Sequence, residues 1–397
     1  MSGKMKAGWE VKRLGEVCEI KPPKKEAKDK LKDTDLVTFL PMEDLGVLNK
    51  EVIGVKERQL KDVTGSYTYF ADNDVLLAKI TPCFENGKIG IARNLVNGIG
   101  FGSSEYIVFR SKGEIIQDYL YYFLSRETFR DEGKKLMTGA VGHKRVSKDF
   151  IENYPLPFPK SLPEQQRIVA ILDEAFAAIA QAKANAEQNL KNAKELFESY
   201  LQSVFENKGE GWEEKTLNQI SENLDSKRVP ITKNFRKEGP IPYYGASGIV
   251  DYVADFLFDE DLLCISEDGA NLLARTYPIA FPISGKTWVN NHAHVLRFEN
   301  MISQKFVELY LNSIKLDDYV SGMAQPKLNQ TMLNKIKIPL PSVKEQQAIV
   351  QKLDALSTET KKLAAIYQQK INDLDELKKS ILQKAFAGEL NTTSVAA

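Results

Sequence analysis

The sequence predicts two α+β globular units joined by two long antiparallel helices, arranged as a pseudo-twofold tandem repeat. Three observations predict this architecture. Short segments recur in the same order along the chain, and two heptad-patterned stretches occupy equivalent places in the repeat. The length of 397 residues and the hydrophobic content of 43% are sufficient for two or three cores.

Recurring segments mark the unit boundaries. They are Gly8-Trp9-Glu10 and Gly211-Trp212-Glu213, the runs that begin at Asp74 and Asp261, and the Glu-Gln-Gln runs that begin at Glu164 and Glu345. The separation falls from 203 to 187 and then to 181 residues, so the second unit is shorter. We therefore expect a globular unit at 1–160, a helix at 161–206, a globular unit at 207–343, a helix at 344–390 and a tail at 391–397.

Each globular unit reads as short strands followed by a helix. The apolar runs at 74–80, 87–92 and 106–110 predict strands in the first unit, and those at 261–265 and 294–298 predict strands in the second. Apolar residues at three and four spacing predict helices at 116–124 and 302–311. These elements predict an α+β unit with a mixed or antiparallel sheet.

The two long helices share one apolar seam, with steps of four and three residues and one extra step of four between 186 and 190. Its apolar members include Ile168, Leu172, Ile179, Leu190, Ile349, Leu353, Leu356, Leu363, Tyr367, Ile371 and Leu374. Prolines precede each helix, and Gly209 and Gly388 are expected to end them. A shared seam of roughly 60 Å predicts that the helices pair antiparallel and hold the units at opposite ends. The alternative is that each helix packs on its own unit.

Composition excludes several classes of protein. Basic and acidic residues both number 54, so the chain is not a uniformly basic nucleic-acid wrapper, although local basic patches remain possible. No apolar run is long enough to span a membrane, and residues 1–10 lack the apolar core of a signal peptide. The three cysteines are far apart in the sequence, which argues against disulfides and thiolate metal sites. We expect a cytoplasmic protein.

Motifs for catalysis or metal binding are weak. Residues 280–287 fit a relaxed phosphate-loop pattern, but a proline and an isoleucine occupy the loop and a strand follows it. Cys83 follows a proline as in cytosine methyltransferases, but no glycine-rich cofactor loop accompanies it. His292 and His294 alternate on a predicted strand and favour a polar contact surface over a zinc site. We expect neither a catalytic set nor a metal site in this chain.

The loops of the two units are polar or basic in both but differ in identity. At an offset of 187, Lys88 aligns with Arg275 and the run at 101–104 aligns with 288–291. Such variation on a shared scaffold is typical of two related readers of different DNA sequences, although each residue taken alone could be a solvated surface group. The residues expected to contact DNA are Lys79, Lys88, Arg93, Ser103, Ser104, Lys144, Arg145, Lys227, Arg228, Tyr243, Tyr244, Ser247, Arg275, Lys286, Asn290, Asn291, His292, Gln325 and Lys327.

A proline-rich run, a Glu-Gln-Gln triplet and a long helix occur twice in the chain, at 156–159 with 163–169 and at 338–341 with 344–350. Further characteristic segments are 8–10, 74–77, 81–88 and 241–248. In these segments the chain resembles the specificity (S) subunit of Type I restriction–modification systems. The resemblance covers nearly the whole chain.

The resemblance implies that each globular unit is a target recognition domain for one half of a bipartite DNA site, with the helices as a spacer. Two methyltransferase (M) subunits would dock on the chain, and restriction (R) subunits would join them. Adenine methylation from S-adenosylmethionine and cleavage that needs ATP and Mg would lie in those partners, and this chain would be non-catalytic and bind no cofactor. The nearly neutral charge departs from the family. A second hypothesis is a coiled-coil adaptor whose units bind proteins.

Overall fold

The computed structural model describes residues 6–52, 56–322 and 325–390, so the predicted tail at 391–397 lies outside the described residues. The elements up to the first long helix are β1 (Trp9–Arg13), α1 (Leu14–Val17), β2 (Cys18–Ile20), α2 (Lys25–Lys30), β3 (Leu36–Leu40), β4 (Lys56–Gln59), α3 (Leu60–Val63), β5 (Thr68–Ala71), β6 (Val75–Ala78), β7 (Ile89–Ile91), β8 (Ile99–Gly102), β9 (Tyr106–Ser111), α4 (Gln117–Leu124), α5 (Glu127–Lys135), α6 (Lys148–Asn153), β10 (Pro155–Pro159) and α7 (Leu162–Glu206).

The second half of the chain repeats this plan. Its elements are β11 (Glu213–Thr216), α8 (Leu217–Ile220), β12 (Glu222–Asn223), β13 (Ile241–Gly245), β14 (Gly248–Val253), β15 (Phe258–Asp259), β16 (Leu262–Ser266), α9 (Asn271–Ala274), β17 (Ala280–Ile283), β18 (Lys286–Val289), β19 (Ala293–Arg297), α10 (Met301–Ser313), α11 (Gln330–Asn334), β20 (Lys337–Leu340) and α12 (Val343–Ala387). Among the described residues, no helix is both long and apolar enough to cross a membrane.

The chain divides into two compact units, and both long helices contribute to each. Unit 1 contains Met1–Asn185 and Lys370–Ala397, and unit 2 contains Ala186–Gln369. One half of each long helix belongs to unit 1 and the other half belongs to unit 2, so neither helix forms a separate compact unit.

The same sheets are built in both units. Unit 1 has an antiparallel sheet of order β2-β9-β6-β7, a mixed sheet of order β4-β3-β8-β5 in which β3 runs parallel to β8, and a β1–β10 ribbon. Unit 2 has the same arrangement as β12-β19-β16-β17, β14-β13-β18-β15 and β11–β20, with β13 parallel to β18. One mixed or antiparallel sheet was expected in each unit, whereas the structure has two four-stranded sheets in each, one antiparallel and one mixed.

The strand registers correct one alignment made from the sequence. Leu76 lies opposite Val108 in unit 1, whereas Leu263 lies opposite Leu296 in unit 2, so equivalent residues of β6 and β16 are 188 rather than 187 positions apart. Lys88 directly precedes β7, but Arg275 follows α9 and lies five residues before β17. Lys88 and Arg275 are therefore not equivalent, because the connection between β16 and β17 (267–279) is three residues longer than the connection between β6 and β7 (79–88).

In unit 1, α7 and α12 run antiparallel and both pack on the globular core. The Lys183 Nζ lies 2.7 Å from the Asp375 carboxylate, and the Lys378 Nζ lies 5.1 Å from the centroid of the Phe176 ring. Positions on α7 therefore fall as positions on α12 rise. The Phe386 ring meets Tyr119 of α4 edge-on at 5.0 Å, which fixes the end of α12 to the core.

In unit 2, the other halves of the two helices pack together and on α10. The Lys352 Nζ lies 4.9 Å from the centroid of the Tyr200 ring, and the Phe205 ring lies 5.4 Å from that of Phe306 on α10. Leu201, Phe205 and Leu353 are buried in the same cluster. The helices pair with each other and also pack on a globular core, so both readings of the sequence describe part of the structure.

Burial along the long helices differs from the predicted seam at particular residues. Ile168, Leu172, Ile179, Leu353 and Ile371 are buried, and Leu190, Ile349, Leu356, Tyr367 and Leu374 are half-buried. Leu363 was expected inside but is 40% exposed. Thr360 is buried instead, with its hydroxyl donating to the Leu356 carbonyl. A small polar residue fits the seam once its hydroxyl has a backbone acceptor.

The helix ends agree with one expected stop and disagree with the other. α12 ends at Ala387, and Gly388 has a φ of +75°, the left-handed conformation that favours glycine after a helix. α7 ends at Glu206, three residues before the expected stop at Gly209.

Removal of the Phe386 ring tests whether α12 is part of the unit 1 core. Phe386 is only 4% exposed, so Phe386→Ala is expected to lower the free energy of unfolding by about 3–5 kcal/mol. The matched control is Phe235→Ala, whose ring is 81% exposed and whose loss is expected to cost about 0.5 kcal/mol or less. Urea unfolding measures both. Equal effects would contradict the packing described.

Candidate nucleic-acid interface

In unit 1, three segments meet at the end of β6. The Lys79 N–H donates to the Glu105 carbonyl at 2.9 Å, the Val146 N–H donates to the Lys79 carbonyl at 3.0 Å, and the Thr81 N–H donates to the Lys144 carbonyl at 2.9 Å. We call the surface formed by Lys79, Ser103–Glu105 and Lys144–Arg145 the first platform. It brings together five of the residues expected to contact DNA.

Charges on the first platform are partly paired. The Arg145 guanidinium binds both oxygens of Glu105 at 2.7 and 2.9 Å, and these bonds lower the pKa of the Glu105 carboxyl. Burial lowers the pKa of Lys79, with Glu105 opposing and the Lys21 and Arg145 cations adding to the shift. Its Nζ donates to the Ser104 carbonyl at 2.8 Å. Lys144 and Arg145 are exposed, so the platform offers cations to an anionic partner.

A glycine hairpin supports each platform. Gly139 has a φ of +126°, and a Cβ there would lie 2.9 Å from the His143 carbonyl oxygen. The equivalent Gly322 has a φ of +82°, and a Cβ there would lie 2.7 Å from the Gln325 carbonyl oxygen. Both positions require glycine for conformation and for space.

Unit 2 builds the equivalent surface with the same backbone contacts. The Glu267 N–H donates to the His292 carbonyl at 2.9 Å, and the Leu328 N–H donates to the Glu267 carbonyl at 2.8 Å. Lys327 forms backbone β-bridges with Asp268 and Ser321, as Arg145 does with Ile80 and Thr138 in unit 1. We call the surface formed by Glu267–Asp268, Asn290–His292 and Gln325–Lys327 the second platform.

The second platform carries different charges on this scaffold. Glu267 stands where unit 1 has Lys79 and is paired with Arg228 at 2.7 Å and Lys327 at 3.2 Å. The Arg228 guanidinium also donates to the Ala293 carbonyl at 2.7 Å. Arg228 is therefore held inside the unit, whereas the side chain of Lys327 is 53% exposed.

A buried histidine lies beneath these ion pairs. The His294 Nδ1 lies 2.5 Å from Asp225 Oδ2, and its Nε2 lies 2.7 Å from the Leu328 carbonyl oxygen. Burial alone would raise the pKa of Asp225, but the His294 ring, the Val295 N–H and Arg228 outweigh burial and lower it. The pKa of Glu267 is lowered in the same way, against its burial, by Arg228, His294 and Lys327.

This group resembles a cation site by distance alone. One ligand atom from each of Asp225, Glu267 and His294 lies within 4.8 Å of the others. Arg228 and Lys327 already pair with Glu267, and Nε2 of the ring is taken by the Leu328 carbonyl. We therefore assign the group to internal ion pairing. His294 is 1% exposed, so the expected contact surface of alternating histidines includes His292 alone.

Two expected cations of unit 1 have internal partners instead. The Arg93 guanidinium binds Asp118 and Glu51, each at 2.7 Å. The Lys88 Nζ donates to the Met42 carbonyl at 2.7 Å. These contacts connect the strands to neighbouring loops and to α4, so we leave both residues out of the interface.

Two expected residues of unit 2 are likewise engaged within the fold. The Arg275 guanidinium donates to the Leu311 carbonyl at 3.3 Å and to the Ile314 carbonyl, at the end of α10. The Tyr243 ring is 1% exposed, and its hydroxyl accepts from the Ile231 N–H at 2.9 Å. Arg275 therefore caps a helix, and Tyr243 belongs to the core.

The remaining expected residues of unit 2 are spread over its loops and mixed sheet. Asn290 is buried and accepts from the His292 N–H, whereas Asn291, His292 and Gln325 are exposed. Other positions are the half-buried Tyr244 stacked on Phe281, the exposed Ser247 hydrogen-bonded to Tyr277, the exposed Lys286 beside the Phe256 ring, and the exposed Lys227.

Sequence reasoning missed Lys21. Its N–H donates to the Val108 carbonyl, as the Leu224 N–H donates to the Val295 carbonyl in unit 2, so the two residues are equivalent at the offset of 203. Burial is the main cause of the lowered pKa values of Lys79 and Lys24, and the nearby Lys21 cation lowers both further. Lys227 and Arg228 were expected as DNA contacts, and the same offset would have added the lysine-rich turn that begins at Lys21.

Comparison with known proteins gives a consistent result. The model of the Type I restriction modification DNA specificity domain matches residues 6–192 and again 209–372. The EcoAI specificity subunit of a Type I restriction enzyme from Escherichia coli is 34% identical over 55% of this chain and 36% of that protein. The MjaVIII specificity subunit from Methanocaldococcus jannaschii is 25% identical over 98% of this chain and 94% of its own length.

The chain covers about a third of the EcoAI subunit and of the similarly matched EcoEI subunit. Among solved structures, the HsdS subunit from Thermoanaerobacter tengcongensis has a TM-score of 0.70 at 20% identity, covering 98% of this chain and 99% of that one. A chain from a type I R-M system has a TM-score of 0.78 at 19% identity, covering 98% and 100%. At these identities the likeness is one of fold.

Acid is expected to loosen the second platform. The pKa values of Asp225 and Glu267 in the folded state are lower than the ordinary values of 3.8 and 4.5. Pairing of these carboxylates therefore stabilises the fold above the ordinary values. This stabilisation is lost as the pH falls through the lower pKa values of the folded state. Urea unfolding at pH 7 and at acid pH measures the loss. Asp225→Asn is expected to reduce the pH dependence, and an unchanged dependence would contradict the assignment.

Proposed function

Because the chain belongs to the family of the Type I restriction modification DNA specificity domain, we propose that it is the DNA sequence-specificity subunit of a Type I restriction–modification complex. Each unit reads one half of a bipartite DNA site through its platform. The chain is non-catalytic, and the partners are two methyltransferase subunits and restriction subunits.

The observation that carries this proposal is that one backbone scaffold presents two different sets of side chains. The first platform carries Lys79 and Arg145, and the second carries Glu267 and Lys327 at the equivalent positions. Lysine and arginine bind phosphates, while the serine, asparagine and glutamine side chains nearby can hydrogen-bond base edges. A conserved scaffold with changed side chains suits two modules that recognise different base sequences.

The division of labour follows from the chemistry that each partner supplies. S-adenosylmethionine, ATP and Mg belong to the methyltransferase and restriction subunits, which carry out adenine methylation and ATP-dependent cleavage. This chain positions those subunits on DNA and binds no cofactor itself. The target adenine is extruded from the duplex by the methyltransferase, since chemistry on a base requires it to leave the stack.

The long helices supply the gap between half-sites. α7 and α12 each span 45 residues, and their halves are built into the cores of the two units. Two linked readers gain affinity from their linkage only when the connection matches the distance between their sites. A helix pair provides a defined connection, in contrast to a flexible linker.

Lys144→Ala tests the phosphate role of the first platform. Lys144 is exposed, so its removal is expected to weaken DNA binding by the assembled methyltransferase about equally on all sequences. The slope of log affinity against log salt is expected to fall by about one unit. Lys134→Ala, an exposed lysine on α5 outside the platform, is the matched control and is expected to leave the slope unchanged. An identical slope for both variants would remove Lys144 from the interface.

Insertion of one heptad into each long helix tests the spacer role. An insertion of seven residues preserves the heptad seam, so both units are expected to fold. The preferred gap between half-sites is expected to change. Mapping of methylated adenines in a host that carries the altered chain measures the gap. Insertion into α7 alone is the control and is expected to abolish modification, because the two helices no longer match. Retention of the original gap by the double insertion would refute the spacer role.

A further inference from the structure

The two platforms rest on different foundations at one equivalent position. Strand pairing aligns Ile107 of β9, which lies opposite Leu77, with His294 of β19, which lies opposite Ile265. Ile107 is an apolar residue of the unit 1 core, with 9% exposure. His294 is 1% exposed and is surrounded by the ion pairs of unit 2. A polar ring at this depth requires partners for both of its nitrogens.

Both ring nitrogens of His294 are hydrogen-bonded. The Leu328 carbonyl oxygen, 2.7 Å from Nε2, only accepts hydrogen bonds, so Nε2 donates to it. Asp225 Oδ2 lies 2.5 Å from Nδ1, within hydrogen-bond distance. The ring is therefore held by the fold at both of its nitrogens.

These two bonds connect segments that are far apart in the sequence. Asp225 lies in the turn that carries Lys227 and Arg228, and Leu328 follows the loop that carries Gln325 and Lys327. The Val295 N–H donates to the other oxygen of Asp225 at 2.9 Å, so the turn is tied to β19 twice. The histidine fixes two of the loops that contribute to the second platform or lie beside it.

The ion pairs of unit 2 surround the ring. Asp225 is hydrogen-bonded to it directly, and Glu267 lies 3.8 Å from Nδ1. Arg228 and Lys327 pair with the same Glu267 carboxylate, and Arg228 also lies 3.4 Å from Asp225. Loss of the ring would leave the Asp225 carboxylate and the Leu328 carbonyl without one of their hydrogen-bond partners.

We propose that His294, through the hydrogen bonds of its two ring nitrogens, is the positioning residue of the second platform, holding the 225–228 turn and the 325–328 loop in the geometry that reads DNA. Unit 1 positions its platform without such a residue. The inference rests on the proposed function for its DNA part and on the contacts above for its structural part.

His294→Leu places an apolar side chain where unit 1 has one, and His294→Gln keeps a hydrogen-bonding group at this position. Ile107→Leu is the matched control at the equivalent strand position of unit 1. Each full-length variant is first checked for folding by circular dichroism. If His294→Leu does not fold, His294→Gln carries the test.

Amide hydrogen exchange of the DNA-free chain tests positioning directly. His294→Leu is expected to speed exchange within 225–228 and 325–328, and Ile107→Leu is expected to leave both segments unchanged. Unchanged exchange in the two segments would overturn the proposal.

DNA binding by the chain assembled with its methyltransferase subunits gives the functional readout. His294→Leu is expected to weaken binding about tenfold, or about 1.4 kcal/mol, with the salt slope unchanged, because a buried ring contacts no phosphate. Lys327→Ala is expected to lower the slope. Full affinity in His294→Leu, or a reduced slope, would overturn the positioning role. If the wild-type complex shows no site-specific binding, the proposed function fails and hydrogen exchange alone decides the inference.

Discussion

The structure depends on the antiparallel packing of α7 and α12 inside each globular core. Phe386 meets Tyr119 in unit 1, although 267 residues separate them in the sequence. In unit 2, Phe205 from the end of α7 shares a cluster with Leu353 from the start of α12. Neither core is complete without chain from both long helices. This constraint makes the helices part of the folded units.

The repeat shows how a duplicated scaffold acquires different surfaces. Both platforms are made by the same backbone hydrogen bonds between the residue after β6 or β16, the loop before β9 or β19, and a glycine hairpin. The side chains on that scaffold differ between the units, so Glu267 stands at the position of Lys79 and His294 stands at the position of Ile107. In unit 2 the Glu267 carboxylate is paired with Arg228 and Lys327, and the Asp225 carboxylate is hydrogen-bonded to His294, so the backbone arrangement stays intact.

The fold was largely predictable because its signals are local or periodic. Strands such as 106–110, the helices after them and the seam follow from apolar spacing and from the recurring segments. Exposure of Leu363 could not be predicted, because burial along a long helix depends on what the partner helix presents at each position. The one-residue change in the sequence offset between β6 and β16 was also not predicted, since an offset read from the sequence carries no information on strand pairing. The site was less predictable. Lys88, Arg93 and Arg275 look like ordinary surface cations until tertiary contacts show their carboxylate and carbonyl partners. The burial of His294 likewise becomes visible only in the structure, whereas the offset of 203 could have identified the turn that begins at Lys21 from the sequence.

Modification mapping of a genome in which this chain is expressed with its methyltransferase subunits tests the central claim most directly. Two structurally equivalent units with different side chains predict methylated adenines within a motif of two unlike short sequences separated by a fixed number of unspecified base pairs. One continuous motif, or two short sequences at variable separation, would contradict an account in which paired helices hold two readers on DNA.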